Sequence, residues 1–232
     1  MQSWSMASSS PQDRKTNSPF EFFLQLFRLT QEEDYYEWEI DGTTRKKYST
    51  GEVYNKLKGP GVDVPWGNIV WNKGGIPKHN FLTWLFVLNR CPTRDRILGW
   101  GLPTASDCLL CNTMPESRDH LFFDCSHSWS VWSVVASRCG LIAERMWVRS
   151  LVQLQMLSGR KEKKRLTVLA WQGTIHALWT ERNARLHRNS FGSTDSLLAQ
   201  IDLTIRNRIA SYRQVNQTLA SSMLQLWFMT AS

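Results

Sequence analysis

Three of the chain's five cysteines and one of its five histidines fall in the stretch CLLCNTMPESRDHLFFDC, from Cys108 to Cys125. Cys108 and Cys111 are spaced C-x2-C, which lets a tight turn aim two thiolates at one point, as structural zinc sites require. His120 and Cys125 complete the pattern C-x2-C-x8-H-x4-C. Three sulfurs and one nitrogen fill a tetrahedral shell, with no position open for water, so a metal held this way is structural and not catalytic. Three thiolates and a neutral imidazole would leave a Zn²⁺ centre with one net negative charge. A redox C-x-x-C normally opens a helix after a strand, and the residues here do not read that way.

These ligands need particular local structure. Pro115 is expected to open a helix over ESRDHLFF, presenting His120 from its second turn. On an unbroken helix Cys125 would sit about 140° round from His120 and about 7.5 Å along the axis, which fits no single metal. The helix must therefore end near Asp124. His127 would share a face with His120 but lie about 10.5 Å further along, which makes it the poorer ligand. Cys91 and Cys139 read as ordinary buried thiols.

Around the cluster the pattern is mostly helical. Residues 20–29 (FEFFLQLFRL) read as a short buried helix, and alternation around Asp41-Gly42 reads as a β-hairpin. Ser49 or Thr50 can cap a helix over GEVYNKL. Residues 78–90 read as a largely buried helix carrying Phe81, Leu82, Trp84, Leu85, Val87 and Leu88, and RDRILGWG reads as a short helix. SHSWSVWSVVASR puts Trp129, Trp132, Val135 and Ala136 on one face. Two longer helices follow over 161–187 and 194–214, the second capped by Ser193 or Thr194. The fold expected is mainly α with a small N-terminal β-hairpin, a helical domain organised around one zinc knuckle. Its parts are a polar, flexible leader (1–19), a helix–hairpin–helix region (20–60), the zinc-binding segment (61–140) and a basic helical region (141–232).

At 232 residues and 42% hydrophobic, with twelve tryptophans, the chain can build a packed core. No apolar run approaches the ~18–20 residues of a bilayer span, and the leader has no secretory pattern. An odd number of cysteines and no secretory route point to a reducing intracellular compartment, nucleus or cytoplasm. The net charge of +8 is uneven: residues 126–232 carry fourteen Lys/Arg against five Asp/Glu, while the preceding residues nearly balance. Such asymmetry points to a polyanionic partner, RNA or DNA, or else to a solvated helical surface. Lys161, Lys163, Lys164 and Arg165 form its densest run, and Arg182 and Arg185 follow further along; all six are candidate phosphate contacts. Trp171 and Trp179, at helical spacing, read as core and not as base-stacking groups. His176 and His187 lie far from any second ligand in sequence.

IPKHNFLTWLFVLNRCPTRDRILGWG followed by CLLCNTMPESRDHLFFDCSHSWSVW resembles the zinc-binding region of plant non-LTR retrotransposon reverse transcriptases. That region has a Pro-Lys…Phe-x-x-Trp helix, a Pro-Thr turn, C-x-x-C, Glu-x-x-x-His-Leu-Phe and Cys, then a Trp-bearing helix. WEIDGTTRKKYSTGEVYNKL upstream and LWTERNARLHRN downstream are similar to its flanks, so the resemblance covers about residues 35–190. It implies one structural zinc on Cys108, Cys111, His120 and Cys125. Cys91 departs from the family, which commonly has Leu there. The chain has no Asp-Asp pair, and a polymerase needs paired aspartates to hold its two Mg²⁺ ions. Nor is there a spread of carboxylates suited to ribonuclease H; the EED run at 32–34 reads as solvated surface. The expectation is a non-enzymatic piece of a mobile element that binds nucleic acid and takes no small-molecule substrate. The alternative is a zinc-stabilised protein-interaction module or degenerate fragment.

Overall fold

The computed structural model describes residues 37–40, 42–59, 61 and 63–229. The expected leader, the helix over 20–29 and the acidic run at 32–34 lie outside the described residues. The chain divides into two compact units, Met1–Gly61 and Val62–Ser232.

In the first unit, strands β1 (Trp38–Ile40) and β2 (Thr43–Arg45) pair antiparallel, Trp38 opposite Arg45 and Ile40 opposite Thr43. Gly42 between them has φ 72°, the positive angle a tight hairpin turn needs. Helix α1 (Thr50–Lys58) is capped by Ser49, whose hydroxyl accepts from the amide of Glu52.

The second unit is helical: α2 (Gly67–Val70), α3 (Pro77–Val87), α4 (Arg94–Gly99), a single wide π turn (His120–Asp124), α5 (Ser126–Arg138), α6 (Trp147–Gln155), α7 (Lys161–Arg188), α8 (Thr194–Ser211), a 3₁₀ turn (Tyr212–Gln214) and α9 (Gln217–Met229). Its spine is α7, 28 residues long, or about 42 Å at 1.5 Å per residue. From Leu166 to Ile175 every residue of α7 is buried, so neighbours cover the helix on all sides. Helix α3 packs on α7, as do α5, α8 and α9. Gln172, fully buried at the middle of α7, donates to the carbonyls of Ile69 and Val70 and so satisfies the end of α2. The core is aromatic: Phe86, Phe122, Phe123, Trp132, Trp147 and Trp171 form a continuous set of ring contacts. Trp171 also donates through Nε1 to Ser150 Oγ at 2.9 Å. The zinc-binding and basic segments thus share one core.

Three expectations change. Helix α3 buries His79, Thr83 and Phe86, while Phe81 is 53% exposed; its inward face carries two polar side chains that an apolar-pattern reading skips. The second is Pro115, which opens no helix. It forms an antiparallel bridge with Asp107, and the chain turns helical only at Arg118, where the Ser117 hydroxyl accepts from the His120 amide. Third, α6 and α9 are additional helices, and each buries a tryptophan, Trp147 and Trp227.

His79 has a consequence for stability. It is 1% exposed, with no hydrogen-bond partner for Nδ1, and its ring stacks on His176 of α7 at 4.1 Å. Burial drives its pKa from 6.5 down to about 3, and His176 and Lys78 push the same way. The unfolded chain therefore binds a proton near pH 6.5 that the folded chain refuses until about pH 3. This contribution to stability is complete above pH 6.5 and is lost as the pH falls through that window. One proton corresponds to about 1.4 kcal/mol per pH unit. His79→Gln is expected to flatten the slope of unfolding free energy against pH between about 6 and 4.5 by close to that amount. Urea unfolding of both proteins at several pH values measures it; equal slopes would refute the assignment.

Candidate metal centre

The knuckle is built from a hairpin-like loop and the π turn. In the loop, the Cys108 amide donates to the Met114 carbonyl and the Glu116 amide to the Ser106 carbonyl, both at 2.8 Å. Between these rungs the Asn112 amide donates to the Cys108 carbonyl, and Asn112 turns the chain with φ 55°. Asn tolerates this left-handed conformation better than most residues. Cys108 and Cys111 therefore point to the same side of one tight turn.

His120 and Cys125 are delivered by a different device. The Cys125 amide donates to the His120 carbonyl at 2.7 Å, an i to i+5 bond that widens one helical turn. At Cys125 the backbone opens to φ −57°, ψ 130° before α5 begins. The helix thus ends at Asp124, as ligand geometry demands. Leu121, Phe122 and Phe123 between the two ligands are buried in the core.

The four ligand atoms lie within 4.8 Å of one another. Cys108 Sγ is 3.9 Å from Cys125 Sγ, and Cys111 Sγ is 3.3 Å from His120 Nε2. For Zn–S and Zn–N bonds of about 2.3 and 2.0 Å, tetrahedral edges are about 3.8 Å (S–S) and 3.5 Å (S–N). The cluster fits a single tetrahedral ion. His120 presents Nε2 to the thiols while its Nδ1 lies 3.6 Å from Asp124 Oδ2, a carboxylate placed where an orienting partner of a metal-bound imidazole sits. Among the described residues, this is the group of Cys, His and carboxylate side chains close enough to share an ion.

The surroundings favour thiolate at Cys111 and Cys125. Cys125 is pushed down to about 5, chiefly by the Cys108 thiol donating to it, against burial, with help from the amides of Ser128 and His127. Cys108, holding the shared proton and buried, moves upward. Burial also raises Cys111, but the Thr113 hydroxyl and amide and the His120 ring outweigh it, and the net shift is downward. Burial lowers His120, yet the Cys111 contact and the nearby thiolates win, so it rises. A dication would displace these protons and bind three thiolates and a neutral imidazole.

What holds the loop is a buried carboxylate that sequence reading assigned no role. Glu116, 0% exposed, accepts from the amides of Arg94 and Leu109 and from Nε and Nη2 of Arg182, the last at 2.8 Å. Arg185 lies one turn further along α7. It donates to the carbonyls of Leu109 and Leu110 inside the C-x-x-C turn, and through Nε to Glu181 at 2.7 Å. Arg182 and Arg185, expected as phosphate contacts, instead face inward. Their side chains are 2% and 9% exposed, and their charges are matched inside the fold. The signal was present in the Glu of Glu-x-x-x-His and the two arginines of the WTERNAR stretch, but spacing does not show that they meet.

The remaining candidates are placed as follows. His127 sits beside Arg185, 3.4 Å from its Nη2, and not among the four ligands. Trp171 is buried, and Trp179 packs edge-on against Phe86. Lys161 and Lys163 are exposed, and Lys164 and Arg165 half-buried, at the opposite end of α7 from the knuckle. Among the described residues no ion pair engages these four. No helix among them is long and apolar enough to cross a membrane.

No curated protein and no solved structure matches the chain. Residues 48–132, which contain all four ligand residues and Glu116, match the family model described as zinc-binding in reverse transcriptase.

Proposed function

We propose that the chain is a zinc-stabilised nucleic-acid-binding module, derived from the C-terminal part of a non-LTR retrotransposon reverse transcriptase and without polymerase activity of its own. The ion is Zn²⁺, in keeping with the three-sulfur, one-nitrogen shell. The observation that carries the reading is the unmatched run Lys161, Lys163, Lys164 and Arg165 in the first turns of α7. Cations at a helix N-terminus have the wrong sign for the macrodipole, and an anionic ligand there reverses the penalty. The knuckle grips the other end of α7 through Arg182 and Arg185. Zinc then acts indirectly, by holding the helix that presents the charge. RNA and DNA are both suitable partners, because phosphate contacts do not read bases.

The test is binding of RNA and DNA by zinc-loaded protein across a salt series. Affinity should fall with a log–log slope of about −0.7 to −0.9 per phosphate contact. Replacing the four basic residues with Ala should weaken binding and flatten that slope while zinc content and helicity stay unchanged. Equal binding by parent and variant at every salt concentration would leave the run as solvated surface. A second reading, a protein-interaction module, is favoured by one observation. Val148 and Val152 of α6 and Met156 just after it recur at four-residue spacing, 58%, 38% and 77% exposed.

A further inference from the structure

Three aromatic rings stand together at the surface of the second unit. Trp71 follows α2 and is 52% exposed, and Phe81 on α3 is 53% exposed. Trp84, one turn along α3 from Phe81, lies between them, its ring centroid 6.1 Å from Trp71 and 5.7 Å from Phe81. A groove of about 350 Å³ opens at Asn72, the residue after Trp71. Asn68, Asn72, Gln155 at the end of α6, and Lys164 and Arg165 on α7 supply its polar lining over an apolar floor that includes Ile69 and Val168; no Asp or Glu lines it.

The segment that carries Trp71 is pinned at both sides. Gln172 holds the carbonyls of Ile69 and Val70. Arg208 of α8 donates to the carbonyls of Gly74 and Gly75 at 2.8 and 2.9 Å, and the Tyr212 hydroxyl donates to the Gly74 carbonyl. Gly74 has φ 93°, which a side chain would strain. The exposed rings therefore sit on a fixed backbone, which limits the ordering cost of binding.

We infer that Trp71, Trp84 and Phe81 form a stacking ledge for the bases of a single-stranded nucleic acid, whose phosphates run along the groove to Lys164 and Arg165. The inference rests on the nucleic-acid-binding reading and adds to it the strandedness of the ligand and the place where bases dock. Bases inside a duplex have both faces covered by their neighbours, so only unpaired bases are free to stack on exposed rings. Lys164 and Arg165 with no carboxylate opposite them give the groove the charge that a polyanion complements.

The experiment uses the full zinc-loaded chain and fluorescently labelled oligonucleotides, single-stranded RNA, single-stranded DNA and the corresponding duplexes, at low salt. The variant is Trp71→Leu plus Phe81→Leu, which keeps the sites apolar and changes only exposed side chains; Phe81→Leu alone is the milder control, and circular dichroism with zinc content verifies the fold. The parent should bind single strands more tightly than duplex. The double variant should lose about tenfold or more on single strands, with duplex binding and salt slope unchanged. Parent tryptophan fluorescence should be quenched by single strands, and the quench reduced in the variant. Three results overturn the ledge while leaving nucleic-acid binding in place: equal single-strand affinity of parent and variant, preference of the parent for duplex, or a loss shared equally by both ligands. Sedimentation showing self-association of the parent that the variant abolishes, with nucleic-acid affinity intact, would make the rings a protein contact instead. Absence of any nucleic-acid binding by the parent overturns both the ledge and the proposed function.

Discussion

Stripped of its metal, the protein should lose its fixed tertiary structure. Leu121, Phe122 and Phe123 hang between two ligands and are fully buried, so releasing His120 and Cys125 frees the segment that carries the centre of the aromatic core. Structural zinc contributes about 10–16 kcal/mol of apparent binding free energy in small zinc domains, while a whole domain is stable by only about 5–15 kcal/mol. The loss is therefore comparable with the entire stability. Chelation is expected to abolish the near-ultraviolet circular dichroism of the buried tryptophans and the cooperative thermal transition. Cys108→Ser plus Cys111→Ser should behave like chelated protein and retain no stoichiometric zinc by mass spectrometry. His127→Ala should keep the metal, since His127 faces Arg185 and not the ligand cluster. An unchanged melt after complete metal removal, or full zinc retention in the double variant, would refute the site.

The second large effect is expected away from the ligands, at Glu116 and Arg182. Both side chains are essentially inaccessible, 0% and 2%. Removing one member of such a pair leaves an uncompensated buried charge and typically costs about 3–5 kcal/mol. Arg182→Met should therefore destabilise the zinc-loaded protein by about that amount in urea unfolding. Zinc affinity should fall as well, by about 10- to 100-fold, because the same carboxylate holds the Leu109 amide in the C-x-x-C turn. Adding Glu116→Gln to Arg182→Met should recover part of the stability, since a neutral amide buries more cheaply than a lone carboxylate. A cost below about 1 kcal/mol for Arg182→Met would mean that water reaches the carboxylate after all.

The contrast between these two predictions shows what the sequence made legible. The ligand set is written in spacing, and the need for a break before Cys125 follows from helix geometry alone. The π turn that meets the need leaves no compositional mark, because Leu-Phe-Phe reads as ordinary buried helix. Arg182 and Arg185 resembled surface cations because a one-dimensional charge pattern does not show which cations meet carboxylates and carbonyls from residues 109–116. In α9 the apolar residues are divided between a buried face and exposed positions such as Phe228 and Met229, which blurs the periodicity; α6 is short but clearly amphipathic, and sequence reading passed over it. His79 and Thr83 are polar residues on an inward face, where an apolar template records a gap.

The π turn also limits how this chain can vary in length. His120 and Cys125 are kept together by the number of residues between them and not by any side chain that could be exchanged. Swaps of similar volume among Leu121, Phe122 and Phe123 would disturb packing by modest amounts. Gain of a single residue in the same segment would find no wider regular turn to absorb it and would rotate everything after it by about 100°. One thiolate would then leave the metal, and the faces of α5 that bury Trp132 and Val135 would turn away from the core in the same motion. The knuckle and the helix behind it are locked in phase, so one-residue insertions here should be far more damaging than volume-conserving swaps among the three buried side chains.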